Sequence, residues 1–191
     1  MHKGRMEAFS DGVFAIIITI MVLELKVPHG DDFAALLPVL PVFVGYMLSF
    51  VLIGIYWANH HHLLQVAKAV DGRVLWANML LLFWLSLLPF ATGWLGESQF
   101  APPSVTLYGV ILLMAAVSYT ILVYCLIAAN GRDSTLAAAI GGDTKGKLSL
   151  AIYATSIAVS FAQSWIAFAL FVVVAVIWFI PDKRIERKVL K

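Results

Sequence analysis

Long apolar stretches separated by short polar breaks run through the whole chain. A helix of about 20 apolar residues is long enough to cross the hydrocarbon core of a bilayer. The pattern predicts helices of this kind at residues 7–27, 35–58, 74–95, 105–128, 147–162 and 164–181. It therefore indicates an all-α, polytopic membrane protein with six transmembrane helices, in which residues 1–191 form a single domain.

The last two helices are predicted from one apolar stretch, residues 148–180, which is too long for a single crossing. Gln163-Ser164 is the plausible turn within it. With this turn the chain crosses the membrane six times and both termini lie on the same side. Without it, the chain crosses five times and the termini lie on opposite sides.

Proline, glycine and serine mark the predicted breaks. Residues 28–30, Pro-His-Gly, are predicted to end the first helix, because proline has no amide hydrogen and glycine tolerates the turn. Pro89 is predicted to free a backbone carbonyl and kink the third helix. In the polar connection 130–146, Ser134 is placed to cap a short alanine-rich turn.

Composition agrees with a membrane protein, because 62% of the 191 residues are hydrophobic and only 13% are charged. About a quarter of the residues in a typical soluble domain are charged. Glu7 and Asp11 interrupt the start of the first apolar stretch, so a cleavable signal peptide is not predicted. The single cysteine, Cys125, excludes an internal disulfide.

Lysine and arginine are distributed unequally between the predicted loops. Of the 13 basic residues, only Lys26 lies between the first two predicted crossings, at the end of the first. With six crossings, all the others fall on the opposite side: Lys3, Arg5, Lys68, Arg73, Arg132, Lys145, Lys147, Lys183, Arg184, Arg187, Lys188 and Lys191. Because short basic loops stay in the cytoplasm, both termini are predicted to be cytoplasmic.

The first predicted helix has two different faces. Counted at about 100° per residue, Val13, Thr19, Ile20 and Leu23 fall within about 60° of Ile16 and form an almost wholly aliphatic stripe. This stripe is interpreted as the wall of an ion pore. The alternative, that it contacts lipid or packs on another helix, stays open.

The polar residues of the same helix, Glu7, Ser10 and Asp11, point away from the stripe. A carboxylate inside a membrane costs about 3 kcal/mol unless another polar group meets it. One or two of the histidines 60–62, with Asn78, are predicted to turn inward and meet Asp11. Three consecutive histidines point about 100° apart on a helix and cannot converge on one ion, so a metal site is not predicted. Solvated loop histidines are the alternative.

The order of residues along the first helix matches a known signature. Arg5, Phe9, Ser10 and Asp11 stand as R-x-x-x-F-S-D, followed by Gly-Val-Phe-Ala. This string resembles the first-helix signature of the transmembrane protein 175 family, which comprises the lysosomal potassium channel and its single-repeat prokaryotic relatives. The resemblance continues through Trp57, His60, His61, His62, Trp76, Asn78, Pro89 and Phe90, and covers the second half of the chain only as hydropathy.

The resemblance implies a potassium-permeable, leak-type channel made of four copies, with the first helix of each around a central pore. It places Ile16 and Leu23 at hydrophobic constrictions, with Thr19 between them, and the helical spacing adds Ile20 to the same pore lining. It also points to the partners predicted above for Asp11, and the predicted structural polar network comprises Arg5, Ser10, Asp11, His60, His61 and Asn78. The expected setting is the plasma membrane of a bacterium, with potassium as the permeant ion and no cofactor, nucleic acid or soluble protein partner.

Two other classes of protein fit the sequence less well. A secondary transporter or small-substrate carrier would place charged groups or broken helices at the bilayer midplane, and predicted helices two to six offer almost none there. A membrane enzyme would need a cluster of catalytic or metal-binding side chains at one depth, and only the surroundings of Asp11 provide one. The carrier is therefore the second hypothesis and an enzyme is not predicted.

Overall fold

The computed structural model describes residues 3–131, 134–140 and 143–179, and all regular secondary structure in these ranges is helical. The elements are α1 (Lys3–Leu23), a 3-10 helix (Phe33–Val39) that leads into α2 (Leu40–Val66), α3 (Gly72–Ser86), α4 (Leu88–Glu97), α5 (Pro102–Asn130), α6 (Thr135–Ile140), α7 (Thr144–Ser160) and α8 (Ser164–Phe179). The predicted all-α class is confirmed.

Four segments of the described chain are long and apolar enough to cross a membrane: Lys3–Leu23, Phe33–Val66, Gly72–Glu97 and Pro102–Asn130. The helices α7 and α8 have 17 and 16 residues and pack against each other. At 1.5 Å per residue each is about 25 Å long, which is shorter than a typical hydrocarbon core. The predicted turn between them is present, because α8 begins at Ser164.

The ends of the first two helices differ from the prediction. Helix α1 ends at Leu23, not at residue 27, because in a continuing helix the ring of Pro28 would clash with the carbonyl of Glu24. Pro28 thus limits α1 as predicted, but the helix ends before this residue, and residues 28–30 lie in the following loop. Helix α2 continues to Val66, eight residues beyond the predicted end, so the three histidines are helical.

The predicted kink at Pro89 is present as a break in the helix. Helix α3 ends at Ser86 and α4 begins at Leu88, with Pro89 in the first turn of α4. Proline is tolerated there because the first amides of a helix have no intrahelical acceptor. The cap at Ser134 is also confirmed, since its Oγ accepts a hydrogen bond from the amide of Ala137 at 3.2 Å.

Helix α4 is held firmly against its neighbours. The Ser49 hydroxyl of α2 lies 2.7 Å from Thr92 Oγ1 and 2.8 Å from the Tyr108 hydroxyl of α5, and all three side chains are fully buried. A Cβ atom at Gly96 would lie 2.3 Å from Val42 Cα, so the two backbones meet where only glycine fits. These contacts fix α4 on α2 and α5.

Helix α1 lies at the edge of this bundle. Its main contacts are with α2, α3 and α4, whereas α5 packs extensively on α3 and α7. One side of α1 therefore has no covering helix within the described chain. Arg132 and the basic residues from Lys183 to Lys191, which carry much of the predicted charge asymmetry, lie outside the described residues.

Candidate functional site

The candidate site is built on α1, whose two faces have opposite environments. The buried face consists of Met6, Ser10, Phe14, Ile17 and Met21, spaced by three or four residues. The predicted stripe from Ile16 to Leu23 lies on the uncovered face, where Ile16 is 56% exposed, Leu23 is 77% exposed, and Thr19 and Ile20 are also exposed, whereas Val13 is half-buried. The structure thus places all four predicted pore residues together on one open surface.

Thr19 adds a polar group to this aliphatic surface. Its hydroxyl donates to the backbone carbonyl of Ile16, one turn earlier, at 2.9 Å. A hydroxyl has one proton to donate and two lone pairs that accept. Because the proton is used inside the helix, the oxygen offers only its lone pairs outward, which are the groups that attract a cation.

The buried face carries a three-residue hydrogen-bond network. Asn78 Nδ2 of α3 donates to Ser10 Oγ at 3.0 Å, and Asn78 Oδ1 lies 2.8 Å from His60 Nε2 of α2. Since a carboxamide oxygen can only accept, the proton of the His60 imidazole is on Nε2. Ser10 Oγ in turn donates to the Met6 carbonyl at 2.8 Å. All three side chains are buried, so this network joins α1, α2 and α3.

Asp11 does not belong to this network, which corrects the sequence-based prediction. Its carboxylate is half-buried and accepts a hydrogen bond at 3.0 Å from Nε1 of Trp57. Consecutive helical residues point about 100° apart, so Ser10 and Asp11 cannot face the same partners. The sequence pattern did not predict Trp57 as the partner of Asp11, although Trp57 is part of the family resemblance.

His61 belongs to the outer group with Asp11. Its ring stacks on that of Trp57, with centroids 6.0 Å apart, and its Nδ1 lies 3.4 Å from Glu7 Oε1. Its Nε2 lies 2.8 Å from Gln65 Nε2. The histidine run is therefore divided, because His60 faces inward and His61 faces outward.

Arg5 joins neither group. Its side chain is exposed, and the ion pairs found within the described residues do not include it. The described residues also contain no group of three or more His, Cys, Asp or Glu side chains that could hold a metal ion. Of the six residues predicted for the network, the structure thus brings together Ser10, His60 and Asn78.

These features define a class of protein: a helical membrane protein whose first helix is held by a buried polar network on one side and exposes an aliphatic stripe on the other. The family described as "Endosomal/lysosomal potassium channel TMEM175" matches residues 5–89. A potassium channel from Chryseobacterium sp. (strain P1-3) is 55% identical over 187 residues, which are 98% of this chain and 97% of that protein.

The fold is also similar to a solved structure. The crystal structure of a lysosomal potassium-selective channel TMEM175 homolog from Chamaesiphon minutus superposes with a TM-score of 0.81 at 31% identity, covering 92% of this chain and 95% of the other. The chicken protein named endosomal/lysosomal proton channel TMEM175 is 39% identical over 104 residues, only 21% of its length. The chain belongs to the TMEM175 family of potassium channels, and this family is one of channels and not of enzymes.

Proposed function

We propose that four copies of this chain form a potassium-permeable, leak-type channel in the plasma membrane of a bacterium, with α1 of each copy around a central pore. One observation carries this proposal: Ile16, Thr19, Ile20 and Leu23 share the face of α1 that no other helix of the chain covers. The opposite face is anchored by Ser10. An anchored helix with an open aliphatic face suits a pore wall.

The chemistry of this face indicates how the pore would work. Rings of Ile16, Ile20 and Leu23 from four copies make narrow apolar constrictions, which hold too little water to hydrate an ion and so gate by dewetting. Thr19 supplies a hydroxyl oxygen between the constrictions. A partly dehydrated cation can approach this oxygen, and potassium loses its water more easily than sodium.

The chain is proposed to be one domain that crosses the membrane six times, with α7 and α8 as two short crossings and both termini in the cytoplasm. Short crossings are accommodated by local thinning of the bilayer at a modest cost. Potassium is the permeant species, and no cofactor takes part.

Two substitutions test the pore lining. Ile16→Asn should wet the constriction, raise conductance and lower the preference for potassium over sodium, because an amide hydrates the ring. Thr19→Val keeps the shape but removes the hydroxyl, so it should also lower the preference for potassium. Bi-ionic recordings measure this change as a shift in reversal potential of about 18 mV for each twofold change in permeability ratio.

The chain offers closely matched controls for both substitutions. Ile166 on α8 is 53% exposed, nearly the same as Ile16, so Ile166→Asn makes the same change on a face away from α1. Thr155 on α7 is exposed and donates to the carbonyl of Ala151, as Thr19 does to that of Ile16. Ile166→Asn and Thr155→Val should leave the reversal potential unchanged. Equal effects of test and control variants would refute the pore lining.

A secondary transporter or carrier is the alternative, and ion flux from liposomes separates the two. Sustained, uncoupled potassium flux supports a channel, whereas saturable exchange supports a carrier. Proton flux is measured in the same liposomes, because the animal relatives are named proton channels.

A further inference from the structure

Glu24 lies at the point where α1 ends. It directly follows Leu23, the last residue of the helix, and its side chain is half-buried. The carboxylate lies against the backbone of Gly93 in α4, where an added Cβ atom would stand 2.7 Å from Glu24 Oε2. A methyl group at residue 93 would displace this flexible side chain, so the absence of a side chain at Gly93 leaves the place open for the Glu24 carboxylate.

The Glu24 side chain lines the same groove as Ile16 and Ile20 of the pore stripe. This groove between α1, α3 and α4 has a volume of about 630 Å³ and is lined by Ile16 and Ile20 together with Glu24. Its other walls include Phe90 and Trp94. Glu97, which forms an ion pair with Lys26, also lines this groove, so Glu24 is the acidic side chain of the groove that has no ion pair within the described residues.

The charges around Glu24 do not cancel. Lys26 forms an ion pair with Glu97, and this hydrogen-bonded partner raises the pKa of Lys26, so its ammonium stays charged at neutral pH. Glu24 makes no ion pair of its own within the described residues and interacts with Lys26 only at longer range. Two carboxylates and one ammonium leave a net charge of −1 for the three residues.

We propose that Glu24 is a conductance-determining residue of the channel: its carboxylate sets a negative potential at the outer mouth and raises the local concentration of cations, and the absence of a side chain at Gly93 leaves room for it there. The inference rests on the proposed function, because α1 must line the pore for Glu24 to stand at its mouth. The carboxylate acts through its field and not as a ligand of a bound ion. In a tetramer, four such charges would surround one entrance.

A field effect is recognised by its dependence on salt. The Debye length is about 30 Å at 0.01 M and about 3 Å at 1 M ionic strength. Charges at a mouth concentrate counter-ions strongly only when they are not screened. Glu24→Gln should therefore lower the inward single-channel conductance about twofold or more in ~0.01 M potassium chloride and leave it nearly unchanged in 1 M.

The control removes the same charge from the same loop. Asp31 is exposed and does not line the groove, so Asp31→Asn should lower conductance at low salt clearly less than Glu24→Gln does. Gly93→Ala should displace the Glu24 carboxylate and lower conductance at low salt, but should have no further effect in the Glu24→Gln background. Gly54→Ala is its control, because a Cβ atom at Gly54 meets no other atom within 4 Å.

A second measurement compares the same channel before and after chemical modification, so differences in folding between variants do not affect it. In a Cys125→Ala background, Glu24→Cys channels are treated from outside with thiosulfonate reagents that attach either a sulfonate or a trimethylammonium group. Each channel is then its own reference. The negative group should raise conductance at low salt and the positive group should lower it.

Several results would overturn the inference. A loss in Glu24→Gln that is equal at low and high salt, no loss at all, or the same effect from both thiol reagents would each show that the charge does not act at the mouth. If Ile16→Asn changes selectivity while Glu24→Gln has no effect, only this inference fails. If Ile16→Asn and Thr19→Val leave selectivity unchanged, the proposed pore lining is wrong, and the reason for placing Glu24 at the mouth is lost with it.

Discussion

The buried network of Ser10, His60 and Asn78 leads to a quantitative prediction. Asn78→Leu removes the acceptor of the His60 Nε2 proton, which lies 2.8 Å away in a fully buried position. An unpaired buried donor costs about 1–3 kcal/mol. Ser10 keeps its hydrogen bond to the Met6 carbonyl, so only one donor is stranded. We therefore expect Asn78→Leu to destabilise the folded protein by about 1–3 kcal/mol.

The double variant tests the reason for this loss. His60→Phe alone removes a donor and strands Asn78 Oδ1, whereas His60→Phe with Asn78→Leu removes donor and acceptor together. Replacing both partners of a hydrogen bond by apolar groups of similar shape is nearly neutral. The double variant should therefore lose clearly less stability than the sum of the single variants. A double-mutant cycle isolates this coupling.

The assay is the temperature at which detergent-solubilised oligomer is lost, followed by size-exclusion chromatography. Asp11→Asn is the comparison, because Asp11 is only half-buried and its partner Trp57 lies on an exposed face. We expect Asp11→Asn to lower the free energy of unfolding by at most about 1.5 kcal/mol. If Asp11→Asn destabilises the protein more than Asn78→Leu, or if the single and double effects add, the assignment of the network is wrong.

Two further predictions concern packing and topology. Gly96→Ala should destabilise the protein by about 1–3 kcal/mol or prevent its assembly, because the new methyl group meets the Val42 backbone. Gly54→Ala is the control and should be tolerated. The thermal stability of the two variants measures this difference, and equal stability would contradict the close contact of α2 and α4. A reporter fused after Lys191 should be active only if it functions in the cytoplasm, and one inserted at Asp31 should report the outside. A C-terminal reporter found outside would leave five crossings.

Much of the fold could be predicted from the sequence because it depends on local physical chemistry. The free energy of placing an apolar stretch in a membrane depends on its own composition, so hydropathy located the long helices. Proline interrupts a helix unless it lies in the first turn, so Pro89 predicted the break before α4, and Ser134 caps the turn that follows it directly. The stripe from Ile16 to Leu23 could be predicted from the helical period alone, and the structure places it on one uncovered face.

The sequence could not show which side chains meet across helices. Ser10 and Asp11 are both polar, as are His60 and His61, and the rotation of α1 and α2 about their axes decides that Ser10 and His60 face inward. That rotation is set by packing of the whole bundle, not by neighbouring residues. For the same reason, only the tertiary structure shows that α2 continues through the histidine run and that Gly93 makes room for Glu24. A close approach of two backbones depends on residues far apart in the chain, which no local pattern records.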